Sequence, residues 1–223
     1  MVKRRYKKSE DVREQILDAA EELFARHGFA ATSTRQITSA AGVRNASINY
    51  HFATKEALGV AVVERRFDKL RLAREARLNA LDIDAANANE ALRGIVDAFV
   101  IPLAELTRTG GQGWTHYNRI AAQYAVSGDW PEHPYTEKVD TAALLFITAL
   151  KDCAPHATFA QAVLGYQFML GTVLSTFAEN PRFAGMNQNA PQTDQADDRT
   201  EALIVFVAAG LERFLAGPSL EGA

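Results

Sequence analysis

The sequence predicts an all-α protein, with a small N-terminal unit joined through a long helix to a larger helical unit. Apolar residues recur at helical spacing through most of the 223 residues, and glycines and prolines interrupt this pattern at intervals. No alternating apolar run is long enough to indicate a strand. Hydrophobic residues make up 48% of the chain and charged residues 23%, which supports a packed core and excludes general disorder.

The first helix is predicted from an apolar stripe between Val12 and Phe24, with Ser9 or Asp11 as its cap and Gly28 at its end. A basic arm over residues 1–8 precedes it and contains Lys3, Arg4, Arg5, Lys7 and Lys8. This arm either reaches DNA phosphates or the minor groove, or is a solvated tail.

The next elements are short. Ser33 and Gln36 have the spacing of a capping box, so a second helix begins there, and Gly42 supplies the turn that ends it. A third helix is predicted over 45–52, after which Thr54 caps the long helix. The remaining helices are predicted over 54–81, 88–107, 113–127, 134–153, 157–179 and 199–216. Residues 185–198 contain one large apolar residue, Met186, and are predicted to form a mobile loop.

Charge is distributed unevenly along the chain. Residues 1–77 carry 16 Lys and Arg against 10 Asp and Glu, whereas residues 78–223 carry 8 against 17. A basic N-terminal third indicates an anionic partner at one end, with nucleic acid as the first candidate and an anionic membrane as the second.

The segment 33–52 has the pattern of two helices joined by a tight glycine turn. Such a second helix fits the major groove of DNA, with its N-terminal residues at base edges. Its polar surface has no carboxylate and consists of Arg44, Asn45, Ala46, Ser47, Asn49, Tyr50 and His51. Arginine can pair with guanine and asparagine with adenine.

Three blocks between Val12 and Leu58 resemble the DNA-binding domain of the TetR family of bacterial transcriptional regulators. They are ILDAAEELF from Ile16 with Gly28 and Phe29, TRQITSAAGV from Thr34, and NYHFATKEAL from Asn49. The resemblance implies an all-helical homodimer, with a DNA-binding domain over residues 1–56. It also implies that residues 57–223 form a domain for effector binding and dimerisation.

The same resemblance assigns roles to individual residues. Thr34 and Arg35 would contact phosphate, and His51 and Lys55 would anchor the DNA backbone. The groove would be read by Arg44, Asn45, Ser47, Asn49 and Tyr50. Two positions depart from the family pattern: Arg44 stands where a capping Ser is common, so Asn45 is expected to cap the helix, and Asn49 replaces a common aromatic residue.

The C-terminal half suggests a dimer interface. The helix over 157–179 has a seam that includes Phe159, Val163 and Tyr166, and a second face with smaller residues. One face would meet the protein's own core and the other a partner, and the last helix has a similar pattern. The candidate interface residues are Ala162, Gly165, Met169, Thr172, Leu203, Val207, Gly210, Leu211 and Phe214.

A candidate effector site is predicted where aromatic and polar residues mix. Trp114, Tyr117 and Tyr124 share one helical face with polar neighbours, as an apolar pocket with a few polar groups requires. The candidate set is Phe99, Leu103, Trp114, His116, Tyr117, Arg119, Gln123, Tyr124 and Phe146. The alternative is that these aromatic residues belong to an ordinary core or a dimer contact.

The preferred function is therefore a ligand-responsive repressor that leaves a palindromic operator when a small apolar or aromatic molecule binds. A helical enzyme is disfavoured because no P-loop, Gly-x-Ser-x-Gly or nucleophile–base pair occurs. A membrane adaptor using the uncharged helix over 157–178 is the third hypothesis, although the polar residues in that helix argue against it. No cofactor, metal or membrane partner is expected, and Cys153 is expected to be buried. The cytoplasm is the expected location.

Overall fold

The computed structural model describes residues 2–83, 87–126, 135–179 and 195–217, with side chains from residue 10, 87, 137 and 198 onwards in these four ranges. Within them the chain is helical and contains no strand. The helices are α1 (Val2–His27), α2 (Thr34–Ala40), α3 (Ala46–Phe52), α4 (Lys55–Leu78), α5 (Ala88–Thr109), α6 (Gln112–Val126), α7 (Tyr135–Cys153), α8 (Phe159–Phe177) and α9 (Gln195–Leu215). The all-α prediction is confirmed.

The helices divide into two compact units, and α4 runs from one unit into the other. The first unit comprises Met1–Asp68 and Gly111–Tyr135, and the second comprises Lys69–Gly110 and Thr136–Ala223. The predicted division at residues 56 and 57 falls near the start of α4 and stays a prediction about how the chain divides by function.

The first unit is built around α1, which packs against α2, α3 and α6. Its buried apolar core is Ile16, Leu17, Ala20, Phe24, Ala25, Phe29, Ile37, Ile48, Phe52, Leu58, Val62 and Ile120. Each of the five helices in this unit adds at least one residue to the core. The burial of these apolar side chains stabilises α2 and α3, because helices of seven residues are not stable alone.

The second unit packs α9 against α5 and α8, and α5 against α8. Its largest fully buried side chains are Ile95, Phe99, Leu103, Leu150 and Met169. A capping box starts α8, in which the Thr158 hydroxyl accepts from the Gln161 amide N–H and the Gln161 side chain accepts in return.

Most helix boundaries agree with the sequence to within three residues, with two exceptions. The helix α1 continues to Val2, so the backbone of the basic arm is helical and neither Ser9 nor Asp11 caps it; the side chains of the arm lie outside the described residues. The helix α9 begins at Gln195, within the predicted loop 185–198, and the rest of that loop lies outside the described residues.

Candidate nucleic-acid interface

A capping box begins α2, and a glycine follows its end. The Ser33 hydroxyl accepts a hydrogen bond from the Gln36 amide N–H, and the Gln36 side chain accepts from the Ser33 N–H at 2.8 Å. After Ala41, Gly42 has a φ of +65°, a left-handed conformation that glycine adopts without steric cost. These features confirm the predicted start of α2 at Ser33 and the predicted glycine turn after its end.

The helix α3 buries one face and exposes the other. Ile48 and Phe52 are buried in the core of the first unit together with Ile37 of α2. Tyr50 is 79% exposed, and its hydroxyl is available to a ligand. The accessible polar side chains in and just before this helix are Arg44, Asn45, Ser47, Asn49 and Tyr50, and none of them is a carboxylate. All five predicted groove residues therefore lie on accessible surface.

Asn45 links α2 to α3 instead of capping α3. It stands immediately before the helix, but its side chain makes no capping hydrogen bond. Its Oδ1 accepts from the Thr38 hydroxyl at 3.3 Å. The expected cap is thus corrected, and the engaged Oδ1 leaves the Asn45 Nδ2 as the donor for an external partner.

The residues predicted to contact phosphate differ in how exposed their side chains are and in whether these already have a partner. Thr34 opens α2 and is half-buried, whereas the guanidinium of Arg35 is exposed and has no ion-pair partner in the part of the chain described. Lys55 is held by its own chain, because its Nζ lies 4.3 Å from the Phe29 ring centroid and donates to the Ala30 carbonyl at 3.4 Å. The ammonium has three donor hydrogens, so this hydrogen bond leaves others for a phosphate.

A cation from α1 lies beside the C-terminal end of α3. The guanidinium carbon of Arg13 is 5.2 Å from the ring centroid of Phe52. Burial, and then the charge of Arg13, lowers the pKa of His51, so its imidazole is neutral at pH 7 and is a hydrogen-bonding group there. Sequence reasoning missed Arg13, because no local spacing signal distinguishes it from other basic residues of α1.

A buried carboxylate joins α1 to α4. Glu21 is 3% exposed, and both of its oxygens accept hydrogen bonds from the Arg66 guanidinium. Arg65 donates to Glu21 at 2.9 Å and to Asp18 at 2.8 Å. Sequence reasoning missed this network, although Glu21 falls four residues after Leu17 on the buried stripe. A carboxylate at a core position needs a partner, and that was the available signal.

The helix α6 packs on α1 within the first unit. Its Trp114 and Tyr117 rings are 5.4 Å apart, and the Arg66 guanidinium lies 5.6 Å from the Trp114 ring centroid. The Gln123 Nε2 donates to the Ala25 carbonyl at 3.2 Å, which satisfies an acceptor in the last turns of α1. The other predicted effector residues of this helix, His116, Arg119 and Tyr124, are half-buried. Binding of an effector by these residues stays a prediction.

The remaining predicted effector residues lie in the second unit. The Phe99 and Phe146 rings are 5.0 Å apart, and Leu103 is buried in the same unit. The Tyr166 ring is 5.8 Å from Phe99, and the Arg74 guanidinium lies 3.6 Å from the Phe99 centroid. Sequence reasoning placed Tyr166 on a helix seam and did not select Arg74, because nothing in the local sequence brings α4 next to α5.

Most of the predicted dimer residues are buried within their own chain. Gly165 lies against Leu211, and a Cβ at Gly165 would come 3.0 Å from the Leu211 side chain. Among the other predicted dimer residues, Ala162, Met169, Leu203 and Val207 are buried. Thr172 and Phe214 are half-buried, and Gly210 is exposed. In this conformation the buried set is not accessible to a second copy, whereas Phe159 and Val163 on the predicted seam are exposed.

Other candidate chemistry has little support in the described residues. No group of three or more His, Cys, Asp or Glu there could hold a metal ion. None of the described helices is long and apolar enough to cross a membrane. Cys153 is buried, and burial raises the pKa of its thiol to about 11, so the thiol is protonated at neutral pH.

Two family models match the chain. The model for bacterial regulatory proteins of the tetR family matches residues 16–62. The model for a tetracyclin repressor-like C-terminal domain matches residues 97–210, just over half of the chain. The chain therefore belongs to the TetR family of bacterial regulatory proteins. This is a family of transcriptional regulators and not of enzymes, which removes the enzyme hypothesis.

Individual relatives match shorter stretches. The HTH-type transcriptional repressor NicS of Pseudomonas putida is 33% identical over 96 residues, which are 43% of this chain and 43% of NicS. The HTH-type transcriptional repressor ComR of Escherichia coli is 36% identical over 66 residues, which are 30% of this chain and 31% of ComR. Each match spans less than half the length of the repressor concerned.

The fold as a whole also has a solved counterpart. The structure of the ketosteroid transcriptional regulator KstR2 of Mycobacterium tuberculosis aligns with a TM-score of 0.60 over 89% of this chain and 93% of that chain. The two sequences are 18% identical, so the likeness concerns the fold alone.

Proposed function

We propose that this chain is a ligand-responsive, sequence-specific DNA-binding repressor. The observation that supports this is the polar surface of α3 and the residues just before it, where Arg44, Asn49 and Tyr50 are exposed and α3 carries no carboxylate. The buried residues Ile48 and Phe52 hold that surface outward. A helix presented in this way can enter the major groove and form hydrogen bonds with base edges. The names of NicS and ComR as repressors support the direction of regulation.

The contacts divide by chemistry into positioning and reading. Arg35 carries an exposed charge at the start of α2 and is assigned to a phosphate, with Thr34 beside it. Arg44 and Asn49 are assigned to base edges, since arginine and asparagine pair bidentately with guanine and adenine. Tyr50 can contact a phosphate or the methyl of a thymine.

We further propose that the protein binds DNA as a homodimer through one face of α8 and α9. The accessible residues of this face are uncharged: Val163, Gln167, Phe168, Gly171 and Ser175 on α8, and Ala202, Val205, Phe206, Ala209 and Gly210 on α9. Phe168 is 53% exposed and Phe206 is 70% exposed. Exposing two large apolar side chains to water on one face is unusual for a monomeric protein. A second copy would cover both helices in a four-helix arrangement, and a two-fold dimer explains why a palindromic operator is expected.

Release by an effector then follows from linkage. The protein would have two conformations, one of which binds the operator more weakly. A ligand that binds this weaker conformation more tightly lowers the operator affinity, at most by the ratio of its own affinities for the two conformations. The helix α4 is assigned as the connection, because its residues up to Asp68 belong to the first unit and those from Lys69 belong to the second.

The DNA proposal is tested by selecting bound fragments from genomic DNA with the purified protein. We expect enrichment of a palindromic site, and loss of that enrichment in Asn49→Ala and Tyr50→Ala. The exposed Asn79 at the end of α4 provides the matched control Asn79→Ala, which should select the same site as the wild type. Binding without enrichment of any sequence in the wild type would refute sequence reading.

The dimer proposal is tested separately by sedimentation. Phe206→Glu places a charge on the proposed face and should convert the dimer to a monomer with unchanged helicity. Val126 is 90% exposed at the end of α6, so Val126→Glu is the control and should remain dimeric. A dimer that persists in Phe206→Glu at the same dissociation constant would refute this face.

A further inference from the structure

A cation of α1 and an imidazole of α3 come together at the C-terminal end of α3. The guanidinium carbon of Arg13 is 5.2 Å from the ring centroid of Phe52, and the Phe52 and His51 ring centroids are 6.2 Å apart. Phe52 is buried in the core of the first unit, so the guanidinium rests on a ring whose position is fixed. The position of Arg13 is therefore set relative to α3, although Arg13 belongs to another helix.

Both side chains have hydrogen-bond donors that reach the solvent. The side chain of Arg13 is 44% exposed, and its one hydrogen bond to a described residue joins Nη1 to the Glu14 carboxylate at 3.1 Å. Its Nε and Nη2 are not among the buried atoms and can donate to an external acceptor. His51 is partly exposed, and its ring nitrogens are likewise not buried. A neutral imidazole keeps one N–H donor, so the two residues present donors from two helices.

The charges around the pair favour an anion. Burial and then the charge of Arg13 lower the pKa of His51, and no described carboxylate acts on the imidazole in the opposite direction. The carboxylate paired with Arg13 is Glu14, whose other oxygen accepts from Arg65 at 3.2 Å. Glu14 thus keeps a partner when Arg13 turns to another anion. An exposed ion pair contributes little to stability, so its exchange for a new partner costs little.

We propose that Arg13 and His51 together bind one phosphate of the DNA backbone, whose oxygens accept hydrogen bonds from the Arg13 guanidinium and the His51 N–H. This inference rests on the proposed DNA-binding function and adds a residue of α1 to it. A guanidinium suits this role because its donors match the geometry of phosphate oxygens. A phosphate held by two helices fixes the orientation of α3 on the duplex and does not itself read a base.

The test compares the salt dependence of DNA binding among full-length variants, on the selected site and on a scrambled duplex. Arg13→Gln should weaken binding to both duplexes by the same factor and lower the salt slope by about 0.9. Its loss of affinity should therefore be about three times larger at ~50 mM than at ~200 mM salt. Arg13→Lys keeps the charge and should restore most of the slope.

The matched control is Arg26→Gln on the same helix. Arg26 also pairs with an exposed carboxylate, that of Glu22 at 2.9 Å, but its charge acts on His116 of α6. This variant should keep the affinity and the salt slope of the wild type. The positive control is Arg35→Ala, which removes an exposed charge at the start of α2 and should lower the slope.

Two further measurements test whether Arg13 and His51 act on the same phosphate. In the free protein, Arg13→Gln should raise the pKa of His51, measured by NMR of its ring protons, because the cation that lowers this pKa is gone. With DNA, the variant carrying both Arg13→Gln and His51→Gln should lose less affinity than the product of the two single losses, because either substitution already disrupts the shared contact.

The outcomes separate this inference from the proposed function. A wild-type salt slope in Arg13→Gln, together with a lowered slope in Arg35→Ala, would overturn the proposal and leave DNA binding intact. An unchanged pKa of His51 in Arg13→Gln, or single losses that simply multiply in the double variant, would overturn the shared phosphate. A wild-type protein that binds neither duplex would refute both the inference and the DNA-binding function.

Discussion

Glu21 of α1 and Arg66 of α4 form a bidentate ion pair, in which both carboxylate oxygens accept hydrogen bonds from one guanidinium. The same guanidinium lies over the ring of Trp114 on α6. One buried charge pair therefore ties together three helices of the unit that carries α3. Because the carboxylate is almost fully withdrawn from water, its removal leaves the charge of Arg66 without its carboxylate partner.

Replacing Glu21 by Gln should destabilise the protein substantially. The exposed fraction of the side chain is about a fifth for both Arg65 and Arg66, and Arg65 keeps its contact with Asp18, so we expect the free energy of unfolding to fall by about 1–3 kcal/mol, below the cost of a fully buried pair. Urea unfolding measures this change.

The matched control is Glu22→Gln, one residue away. Glu22 pairs with Arg26 at 2.9 Å on the surface, and such pairs contribute at most about 1 kcal/mol. Equal destabilisation by the two variants would contradict a special role of the buried carboxylate.

Gly113 on α6 should not tolerate a side chain. A Cβ at this position would collide with the Arg66 guanidinium and come 2.9 Å from a Glu21 oxygen. A helical Gly→Ala substitution ordinarily stabilises by about 0.5–1 kcal/mol, so the collision should reverse the sign of the effect. Thermal unfolding of Gly113→Ala and of the exposed neighbour variant Gln112→Ala checks this, and a higher melting temperature for Gly113→Ala would rule out the close approach.

Cys153 should be unreactive until the protein unfolds. Its thiol is buried, donates to the Leu150 carbonyl at 3.3 Å, and has a pKa raised to about 11 from the ordinary value of 9.0. Since the unfolded thiol ionises first, this group favours folding below pH 9 and loses that contribution as the pH rises towards 11. A disulfide reagent should label Cys153 in urea but not in buffer at pH 8. Rapid labelling of the native protein would show that the site is open.

Arg35 and Arg44 should affect DNA binding in different ways. Arg35→Ala is expected to weaken specific and non-specific DNA equally, and to lower the salt slope by about 0.9 for each phosphate that the protein no longer neutralises. Arg44→Ala should cost about 1–3 kcal/mol for the selected site and relax preference at one base position. Fluorescence anisotropy over a salt series separates the two outcomes. An identical weakening on scrambled DNA for both variants would contradict the division into positioning and reading residues.

Local signals in the sequence predict the local structure of this chain well. The Ser33–Gln36 capping box, the left-handed Gly42 and the cap at Thr54, whose hydroxyl accepts from the Ala57 N–H at 3.1 Å, follow from residue types a few positions apart. The helix α1 extends further than predicted because a cap residue is a preference, and nothing in the sequence before Ser9 breaks a helix.

Partners between distant segments could not be predicted in the same way. An apolar stripe indicates that a helix buries a face, but not which helix covers it. The apolar stripe on α8 predicts that Ala162 and Met169 contact a partner chain. Both side chains are buried within their own chain, where α9 packs against α8. The contact between Trp114 of α6 and Arg66 of α4 is also one that the local sequence does not indicate, and binding of an effector by Trp114 stays a prediction.

Reading of a base sequence by α3 is tested most directly by the ratio of the affinities for the selected operator and for a scrambled duplex at one fixed salt concentration. For the wild type we predict a ratio of about 10³ or more, and for Tyr50→Ala combined with Asn49→Ala a ratio near one with non-specific affinity retained. A wild-type ratio near one, or a double variant that keeps the wild-type ratio, would contradict the claim.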